Sequence, residues 1–312
     1  MESDLVLSTF LVAWLAAAVR LAGPLLLSAL GEIFAERSGI LNVGIEGTML
    51  IGAVASYLVA LQTGSPVMGL LAAMLAGLAA SLFLAWMYVS VQANQVVVGI
   101  IFNILALGLA SYFYRLFMGG VSGPQKIVMF EPIAIPFLSE IPLLGPILFR
   151  HTVFLYAVML LVPVAGFVLY RTKLGLRLRA VGENPRAAST AGISVSAMRY
   201  VGVLISGAAA GAAGSYLILA QVGLFRETII AGQGFIALAI VIFGRWNPYK
   251  AALAALVFGA ADALQLSLQL FQVGLPPQLL LALPYLLTVI AMSGLLGKAN
   301  QPDALMMPYR RE

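Results

Sequence analysis

Two carboxylates stand inside long apolar stretches of this chain, and they are the first residues that could do chemistry. Glu46 lies within Gly44-Ile-Glu-Gly47, and Asp262 lies within Ala260-Ala-Asp-Ala263. A carboxylate at the centre of a membrane helix costs about 2.5–3.5 kcal/mol, so such a residue normally faces a bundle interior or a water-filled path. We therefore expect both carboxylates to line a path for a polar solute.

Three amides in the same stretches could also bond a solute. An interhelical hydrogen bond is the ordinary role of an amide in a membrane bundle, so both roles stay open for each of them. Glu46 has a structural alternative too, a bridge between helices made with Arg20 or Arg37. The candidate path residues are Asn42, Glu46, Asn103, Gln233 and Asp262.

Other chemistries find little support in the sequence. The chain has no cysteine, and its single histidine, His151, has no His, Cys or acidic cluster around it. A metal site and a Ser-His-Asp triad are therefore not predicted. The segment Gly294–Ala299 lacks the glycine spacing of a phosphate-binding P-loop, and Ala299 stands where Ser or Thr should bind magnesium. We predict no enzyme, no metal and no cofactor on this chain.

The stretches that carry the polar residues predict an all-α polytopic membrane protein. Hydrophobic residues make up 62% of the 312 residues and charged residues 9%, against roughly 25% charged in a soluble domain. Because no polar linker divides the chain, we predict one membrane domain over residues 1–312. About nine spans (eight to ten) are long enough to cross about 30 Å of hydrocarbon. They are Leu5–Leu30, Gly39–Leu61, Pro66–Val91, Val96–Met118, Thr152–Tyr170, Tyr200–Ala220, Thr228–Phe243, Pro248–Leu270 and Gln278–Leu296.

Two of these spans raise specific questions. In the first, the Gly23-Pro24 pair either kinks one span or separates a span from a re-entrant piece. In the second, Glu46 lies about eight residues from the start, roughly 12 Å deep at 1.5 Å per residue. At that depth a lone carboxylate is not expected to face lipid.

Basic residues orient the predicted spans. With the N-terminus outside and the C-terminus in the cytoplasm, twelve of the 17 Lys and Arg residues lie in inside loops. Four lie in outside loops, and Arg20 lies within the first span. The positive-inside rule favours this topology. The net charge of +5 is thereby explained, and it gives no indication of nucleic-acid binding.

The inside loop Arg171–Arg199 contains the signal of a short helix. Asn184 suits an N-cap, Pro185 suits the first helical position, and Gly192 is placed to end the helix. Because the flanks are basic and the chain lacks its own P-loop, this helix could dock a cytoplasmic partner. An ordinary basic loop is the alternative reading.

Four ordered segments resemble the permease subunits of ABC importers for nucleosides. These belong to a wider group that also imports ribose, other simple sugars and branched-chain amino acids. The resemblance extends from about Leu21 to Gly297, and the nucleoside branch rests mainly on the first segment. The segments are Gly31–Gly47 (GEIFAERSGILNVGIEG), Ala93–Asn103, Gly182–Gly192 (GENPRAASTAG), and Gly232–Ile240 with Gly244–Pro248.

The resemblance implies the rest of the architecture. It implies a type II ABC importer-like fold with an inverted repeat, placing Gly44–Gly47 and Gly232–Gly234 in spans of opposite direction. Two permeases, expected to be paralogues, work by alternating access in the plasma membrane over an ATP-binding subunit dimer that carries ATP and magnesium. An extracytoplasmic binding protein delivers the substrate. The ATPase coupling helix is expected at Glu183, Asn184, Pro185, Arg186, Ala187, Ala188, Ser189, Thr190, Ala191 and Gly192, with Ala188 entering the ATPase groove.

Alternatives from other classes stay open. Among ABC permeases, simple sugars or branched-chain amino acids could be the substrate instead of nucleosides. An ion-coupled secondary transporter would use Glu46 or Asp262 to carry the coupling proton. A non-transporting membrane scaffold or receptor would use the short helix to recruit a signalling partner.

Overall fold

Helices make up most of the computed structural model, which describes residues 2–119, 125–270, 276–292 and 301–309. A small antiparallel pair joins β1 (Pro132–Ala134) and β2 (Arg150–Thr152). The helices are α1 (Glu2–Arg37), α2 (Ile45–Thr63), α3 (Pro66–Ala85), α4 (Gln95–Met118), α5 (Leu144–Leu148), α6 (Val153–Arg171), α7 (Lys173–Glu183), α8 (Pro185–Thr190), α9 (Val195–Tyr216), α10 (Gln233–Phe243), α11 (Pro248–Leu270), α12 (Pro277–Leu281) and α13 (Leu283–Met292).

The predicted all-α polytopic fold is confirmed. Among the described residues, seven helices are long and apolar enough to cross a membrane, and they correspond to seven of the predicted spans. Two of them continue beyond the α-helix as π-helical turns, α3 over Trp86–Ser90 and α9 over Leu217–Val222. The seven are Thr9–Arg37, Ile45–Thr63, Pro66–Ser90, Gln95–Met118, Val153–Arg171, Val195–Val222 and Pro248–Gln269.

The first predicted span is one continuous helix that runs past its predicted end. Helix α1 passes through Pro24 without interruption and ends at Arg37, so the re-entrant alternative is wrong. Proline removes one backbone hydrogen bond from a helix, but the helix side chains around Pro24 are buried and packed. The extension of the helix beyond Leu30 places Glu32 and Glu36 inside the bundle, where both are fully buried.

Two predicted spans begin later than the sequence suggested. The second was predicted from Gly39 but starts as a helix at Ile45, and the seventh was predicted from Thr228 but starts at Gln233. Gly39 (φ +91°), Ala231 (φ +48°) and Gly232 (φ +84°) adopt left-handed backbone conformations, which cannot continue a right-handed helix. The ninth predicted span is divided into α12 and α13, and residues 293–300 lie outside the described part.

Helix α10 is therefore too short to cross a membrane by itself. Its 11 residues extend about 16 Å at 1.5 Å per residue, roughly half of the hydrocarbon thickness. Such interrupted helices are tolerated at membrane depth only where protein or a water-filled cavity surrounds the exposed backbone. The backbone groups at these interruptions must therefore find partners inside the bundle.

A small-residue face of α9 allows the central helices to pack closely. The Gly207–Gly211 spacing with Gly214 predicts tight helix contact, and this is confirmed. A Cβ atom built on Gly211 would lie 2.2 Å from the Ala73 carbonyl oxygen of α3, and one on Gly214 would lie 1.9 Å from the Met49 carbonyl oxygen of α2. Larger side chains at these positions would separate α9 from both neighbours.

The C-terminal residues 301–309 lie at the end of the bundle where α1 finishes. The backbone N–H of Ala304 donates to the Gly182 carbonyl (2.9 Å), and the N–H of Met306 donates to the Gly39 carbonyl (3.1 Å). We call this the coupling end, because α8 also lies there. Since α1 runs the length of the bundle, its first residues and the C-terminal segment lie at opposite ends. Which end faces the cytoplasm stays a prediction.

Candidate translocation site and coupling surface

Glu46 links the start of α2 to the start of α10, the two helices that begin later than predicted. It lies in the first turn of α2, where its Oε1 atom accepts from the Gly232 N–H (2.7 Å) and its Oε2 atom accepts from the Gly234 N–H (2.7 Å). These N–H groups belong to the start of α10, where helix geometry leaves donors unpaired and the helix dipole favours negative charge. Glu46 thus caps a neighbouring helix across the bundle.

The predicted arginine partners of Glu46 are wrong. Arg37 approaches Glu183 (3.6 Å) and donates to the Trp246 carbonyl. Arg20 is exposed, and its backbone carbonyl accepts from the Tyr216 hydroxyl. A structural bridge at Glu46 therefore exists, but its partners are backbone N–H groups that the amino-acid types alone do not reveal.

The two glycine motifs expected from an inverted repeat meet at this contact. A Cβ atom built on Gly234 would lie 2.7 Å from the Glu46 Cα atom, so glycine is needed for the two chain segments to approach. The position predicted for Glu46, about eight residues into a helix, is wrong, because α2 begins at Ile45 and Glu46 is its second residue.

Asn103 forms hydrogen bonds to the backbone at the start of α2 in a similar way. From α4, its Oδ1 atom accepts from the Gly47 N–H (2.8 Å), and its Nδ2 atom donates to the Val43 carbonyl (3.0 Å). These bonds satisfy one backbone group on each side of Ile45, at the start of α2. The amide is half-buried, and its two hydrogen bonds support the structural role that the sequence left open.

Asn42 belongs to a buried polar network. Its backbone N–H donates to Glu32 Oε1 (2.8 Å), and its Nδ2 atom donates to the Ser206 hydroxyl (3.2 Å). That hydroxyl in turn donates to Glu32 Oε2 (2.7 Å), and the Tyr88 hydroxyl donates to Asn42 Oδ1 (3.4 Å). Asn42 and Glu32 are both 0% exposed. In this conformation Asn42 contacts its neighbours and faces no open surface.

Glu36 connects α1 to the turn that follows α10. Its Oε2 atom accepts from the Trp246 indole N–H at 2.5 Å, and its Oε1 atom has no hydrogen-bond partner among the described residues. Sequence reasoning missed Glu32 and Glu36 because the first span was predicted to end at Leu30. Their four-residue spacing on one helix face would have revealed them if α1 had been extended.

Three other polar groups surround the interruption before α10. Gln233 is half-buried, and its buried Oε1 atom has no hydrogen-bond partner in the described part of the chain. Asp262 on α11 is also half-buried, and no hydrogen bond or ion pair to it occurs among the described residues. Tyr285 on α13 is 45% exposed, its hydroxyl donates to the Ala231 carbonyl (2.6 Å), and it interacts electrostatically with Glu46 and Asp262.

These groups form what we call the polar cluster, defined as Gln233, Asp262 and Tyr285. A carboxylate and an amide oxygen accept hydrogen bonds, while a phenol both donates and accepts. The cluster can therefore bind an uncharged solute that carries hydroxyl or N–H groups. Tyr285 was missed in the sequence because only carboxylates and amides were considered as polar groups within the predicted spans.

The short helix predicted in the loop after α6 is present as α8. The Asn184 Oδ1 atom accepts from the Ala187 N–H (3.0 Å), Pro185 occupies the first helical position, and Gly192 (φ +80°) ends the segment. The N-cap, the proline and the terminating glycine are confirmed. Ser189 lies half-buried in this helix, and Ala191 is exposed just after it.

The expected orientation of Ala188 is wrong. Its side chain is only 4% exposed and packs with Val181 and Val195 of this chain. It cannot enter a groove of another subunit in this conformation. The helix instead presents Arg186, Ala187 and Thr190, all exposed, to the outside. Alanine is apolar at either position, so composition alone does not show which alanine faces inward.

The single histidine links β2 to the end of α5. His151 is buried, and its Nε2 atom lies 2.8 Å from the Ile147 carbonyl. Burial lowers the pKa of the His151 imidazole, which suits a neutral ring that donates one N–H to that carbonyl. Among the described residues, no group of three or more His, Cys, Asp or Glu side chains could hold a metal ion.

Comparison with known proteins places these features in a family. The sequence profile of the family described as "Branched-chain amino acid transport system / permease component" matches residues 14–292. The guanosine ABC transporter permease protein NupQ of Bacillus subtilis is 42% identical over 298 residues, covering 92% of this chain and 93% of that protein.

Two further relatives cover the chain almost completely. The nucleoside ABC transporter permease protein NupC of Lactococcus lactis is 38% identical, covering 90% of this chain and 91% of that protein. The putative glucose ABC transporter permease protein TsgC13 of Haloferax volcanii is 36% identical, covering 97% and 99%. No solved structure gives a significant match.

Proposed function

The chain belongs to this family of transport permease components, and we propose that it imports nucleosides as one membrane subunit of an ATP-driven ABC transporter. The observation that carries the substrate class is the 42% identity, over 92% of the chain, to a relative named as a guanosine permease. The family resemblance expected from the four segments is confirmed. A sugar is the second candidate, because a relative named as a glucose permease is 36% identical over 97% of the chain.

The polar cluster supports an uncharged, hydrogen-bonding substrate. It lies beside the interrupted start of α10, and interrupted helices commonly form the substrate sites of membrane transporters. The Asp262 carboxylate is half-buried and has no hydrogen-bond partner in the described part of the chain, so it can accept hydrogen bonds from a solute. The Gln233 Oε1 atom also has no partner there, but it is buried, so a solute can reach it only after the start of α10 has moved. Glu46 and Asn103 support the site indirectly, because they bond the backbone at the starts of α10 and α2 and hold these helix ends in place. Asn42 contributes only through the buried network in this conformation.

The exposed side of α8 is the proposed contact for the ATP-binding subunit. Relatives of this chain work in ABC transporters, and this chain carries a capped helix at one end of the bundle. We assign ATP and magnesium to a dimer of partner subunits and no cofactor to this chain. A second permease, an extracytoplasmic binding protein and the lipid bilayer complete the proposed assembly. The coupling end then faces the cytoplasm, and the N-terminus lies outside.

A chain of contacts links α8 to the polar cluster. Glu183, at the end of α7, approaches Arg37 at 3.6 Å, so a push on α8 reaches the end of α1. From there Glu36 bonds the Trp246 indole, which follows α10, and Glu32 bonds the Asn42 N–H, which precedes α2. These contacts would transmit a displacement of α1 along its axis to the starts of α2 and α10. Alternating access would follow from their movement around the polar cluster.

Transport by reconstituted complexes tests the proposal. Proteoliposomes that contain this chain, its partner permease and the ATP-binding subunits should take up labelled guanosine when ATP and the binding protein are supplied. Uptake of glucose without guanosine would favour the sugar alternative. Uptake driven by an ion gradient without the ATP-binding subunit would overturn the proposal in favour of a secondary transporter.

A matched pair of variants tests the contact on α8. Ala187 and Ala197 are both exposed, and each is the third residue of a helix whose N–H bonds the capping side chain. Glutamate suits that position in a helix, so Ala187→Glu and Ala197→Glu should both fold. Only Ala187→Glu should lose ATP-driven uptake and binding of the ATP-binding subunit. Equal loss in both variants, or in neither, would contradict the assignment.

A further inference from the structure

The C-terminal segment 301–309 forms a fixed part of the coupling end. Besides its bonds to Gly182 and Gly39, its Tyr309 carbonyl accepts from the Gln92 side chain at 2.6 Å. Pro302 and Ala304 are buried against the bundle. The segment therefore ties together the loop after α1, the loop after α3 and the end of α7. It is held on three sides and lies beside the start of α8.

A groove separates this segment from α8. Its volume is about 740 Å³, and Glu183, Arg186, Asp303 and Met307 are among its lining residues. A second cavity of about 610 Å³ lies on the other side, between Ser189 and Tyr309. Tyr309 borders both cavities. The segment and α8 thus line both cavities together and form one continuous surface.

The outer side of the segment carries apolar side chains. Met307 is 58% exposed and Met306 is 42% exposed, and Pro308 is exposed beside them. This segment lies outside the predicted spans, so lipid tails do not explain the exposure. Methionine side chains are flexible and polarisable, and they are common on adaptable binding surfaces. The exposed methionines therefore indicate a surface that another protein covers.

The size of α8 points to the same conclusion. A specific protein interface usually needs about 20–30 residues and about 800 Å² on each side. The coupling helix with its flanks, Glu183–Gly192, supplies at most half as many residues, so neighbouring residues must contribute. The segment 301–309 is continuous with α8 across the groove and supplies exposed apolar area. The same partner that contacts α8 should therefore contact this segment.

We propose that residues 301–309 are a second docking element for the ATP-binding subunit, which covers Met307 and inserts a side chain into the groove beside α8. This inference rests on the proposed function, because it takes the partner of α8 to be that subunit. Through this segment, the ATP-binding subunit would contact the end of α7 and the loops after α1 and α3 together.

A binding measurement with matched charge variants tests the inference. Met307→Glu places a charge in the groove, whereas Gln301→Glu adds the same charge to an exposed position of the same segment outside it. We expect Met307→Glu to weaken the Kd for the purified ATP-binding subunit by about tenfold or more, the effect of truncating an interface anchor. Gln301→Glu should stay close to the wild-type Kd, and both variants should keep the wild-type melting curve.

The outcomes separate this inference from the proposed function. If Met307→Glu binds as tightly as the wild type while Ala187→Glu does not, the second docking element is wrong and the contact on α8 stands. If the wild type binds no ATP-binding subunit, the proposed function itself fails. Crosslinking identifies the occupant directly, because the chain has no native cysteine. A cysteine reagent on Met307→Cys should link to the ATP-binding subunit, whereas links only to lipid or to a second copy of this chain would overturn the proposal.

Discussion

The substitution Glu46→Gln separates a structural role from a transport role at the centre of the bundle. Glutamine keeps the size of the side chain but replaces one carboxylate oxygen by an amide that donates. Both Glu46 oxygens accept backbone N–H groups at 2.7 Å, from Gly232 and Gly234. A glutamine can accept from only one of them and must direct its own N–H groups towards the other.

The structure sets the size of the expected effect. Loss of a hydrogen bond to a charged acceptor costs about 1.5–3 kcal/mol, and the orphaned N–H at the start of α10 adds about 1 kcal/mol. We therefore expect the free energy of unfolding to fall by about 2–4 kcal/mol. At roughly 2–4 °C per kcal/mol, the melting temperature should drop by on the order of 5 °C or more.

Melting curves in detergent and uptake in proteoliposomes measure the two roles independently. Glu131→Gln, an exposed loop glutamate, is the control and should melt like the wild type. If Glu46 is structural, uptake per folded molecule should be unchanged in Glu46→Gln. A wild-type melting temperature combined with lost substrate-driven uptake would refute the capping argument and assign Glu46 to the path.

Three further predictions use other parts of the molecule. Asp262→Asn should lower uptake by about tenfold, the loss of one hydrogen bond to a charged group, without changing the melting temperature; a large melting shift would contradict the absence of a hydrogen-bond partner for this carboxylate among the described residues. An impermeant thiol reagent on intact cells should label Glu131→Cys and leave Gln301→Cys unlabelled, and the reverse pattern would invert the topology. Burial lowers the pKa of His151, so around that pKa the folded state binds fewer protons at this residue than the unfolded state does. The stability that the neutral ring contributes should therefore be complete above pH about 6.5 and fall below it. His151→Gln should reduce the loss of melting temperature between pH 7 and pH 5.

The features that depend on local sequence were predictable. Long apolar runs predicted nine spans, and seven of them correspond to helices that could span a membrane, because few side chains other than apolar ones suit lipid. Asn184, Pro185 and Gly192 predicted α8, because capping depends on neighbouring residues only. The Gly207–Gly211 spacing predicted a close helix contact, since small side chains on one helix face allow the backbone of a neighbouring helix to approach.

The features that depend on distant contacts were not predictable. The late starts of α2 and α10 leave backbone groups that bond across the bundle, to Asn103 at the start of α2 and to Glu46 at the start of α10. The inward orientation of Ala188 depends on Val181 and Val195, which flank it in space. Apolar patterning indicates that a residue lies in a helix, but it does not identify the atoms that a polar side chain will contact.

The polar residues around the starts of α2 and α10 include two groups that differ in what they bond. Glu46 and Asn103 bond four backbone groups at the starts of α2 and α10, each of which would cost several kcal/mol if left unpaired in hydrocarbon. Gln233 and Asp262 lie beside the same interruption but retain acceptor atoms without partners in the described part of the chain. Because the first group already satisfies the backbone, a solute that enters meets only the second. Substitutions in the first group should therefore lower stability, and substitutions in the second should lower transport.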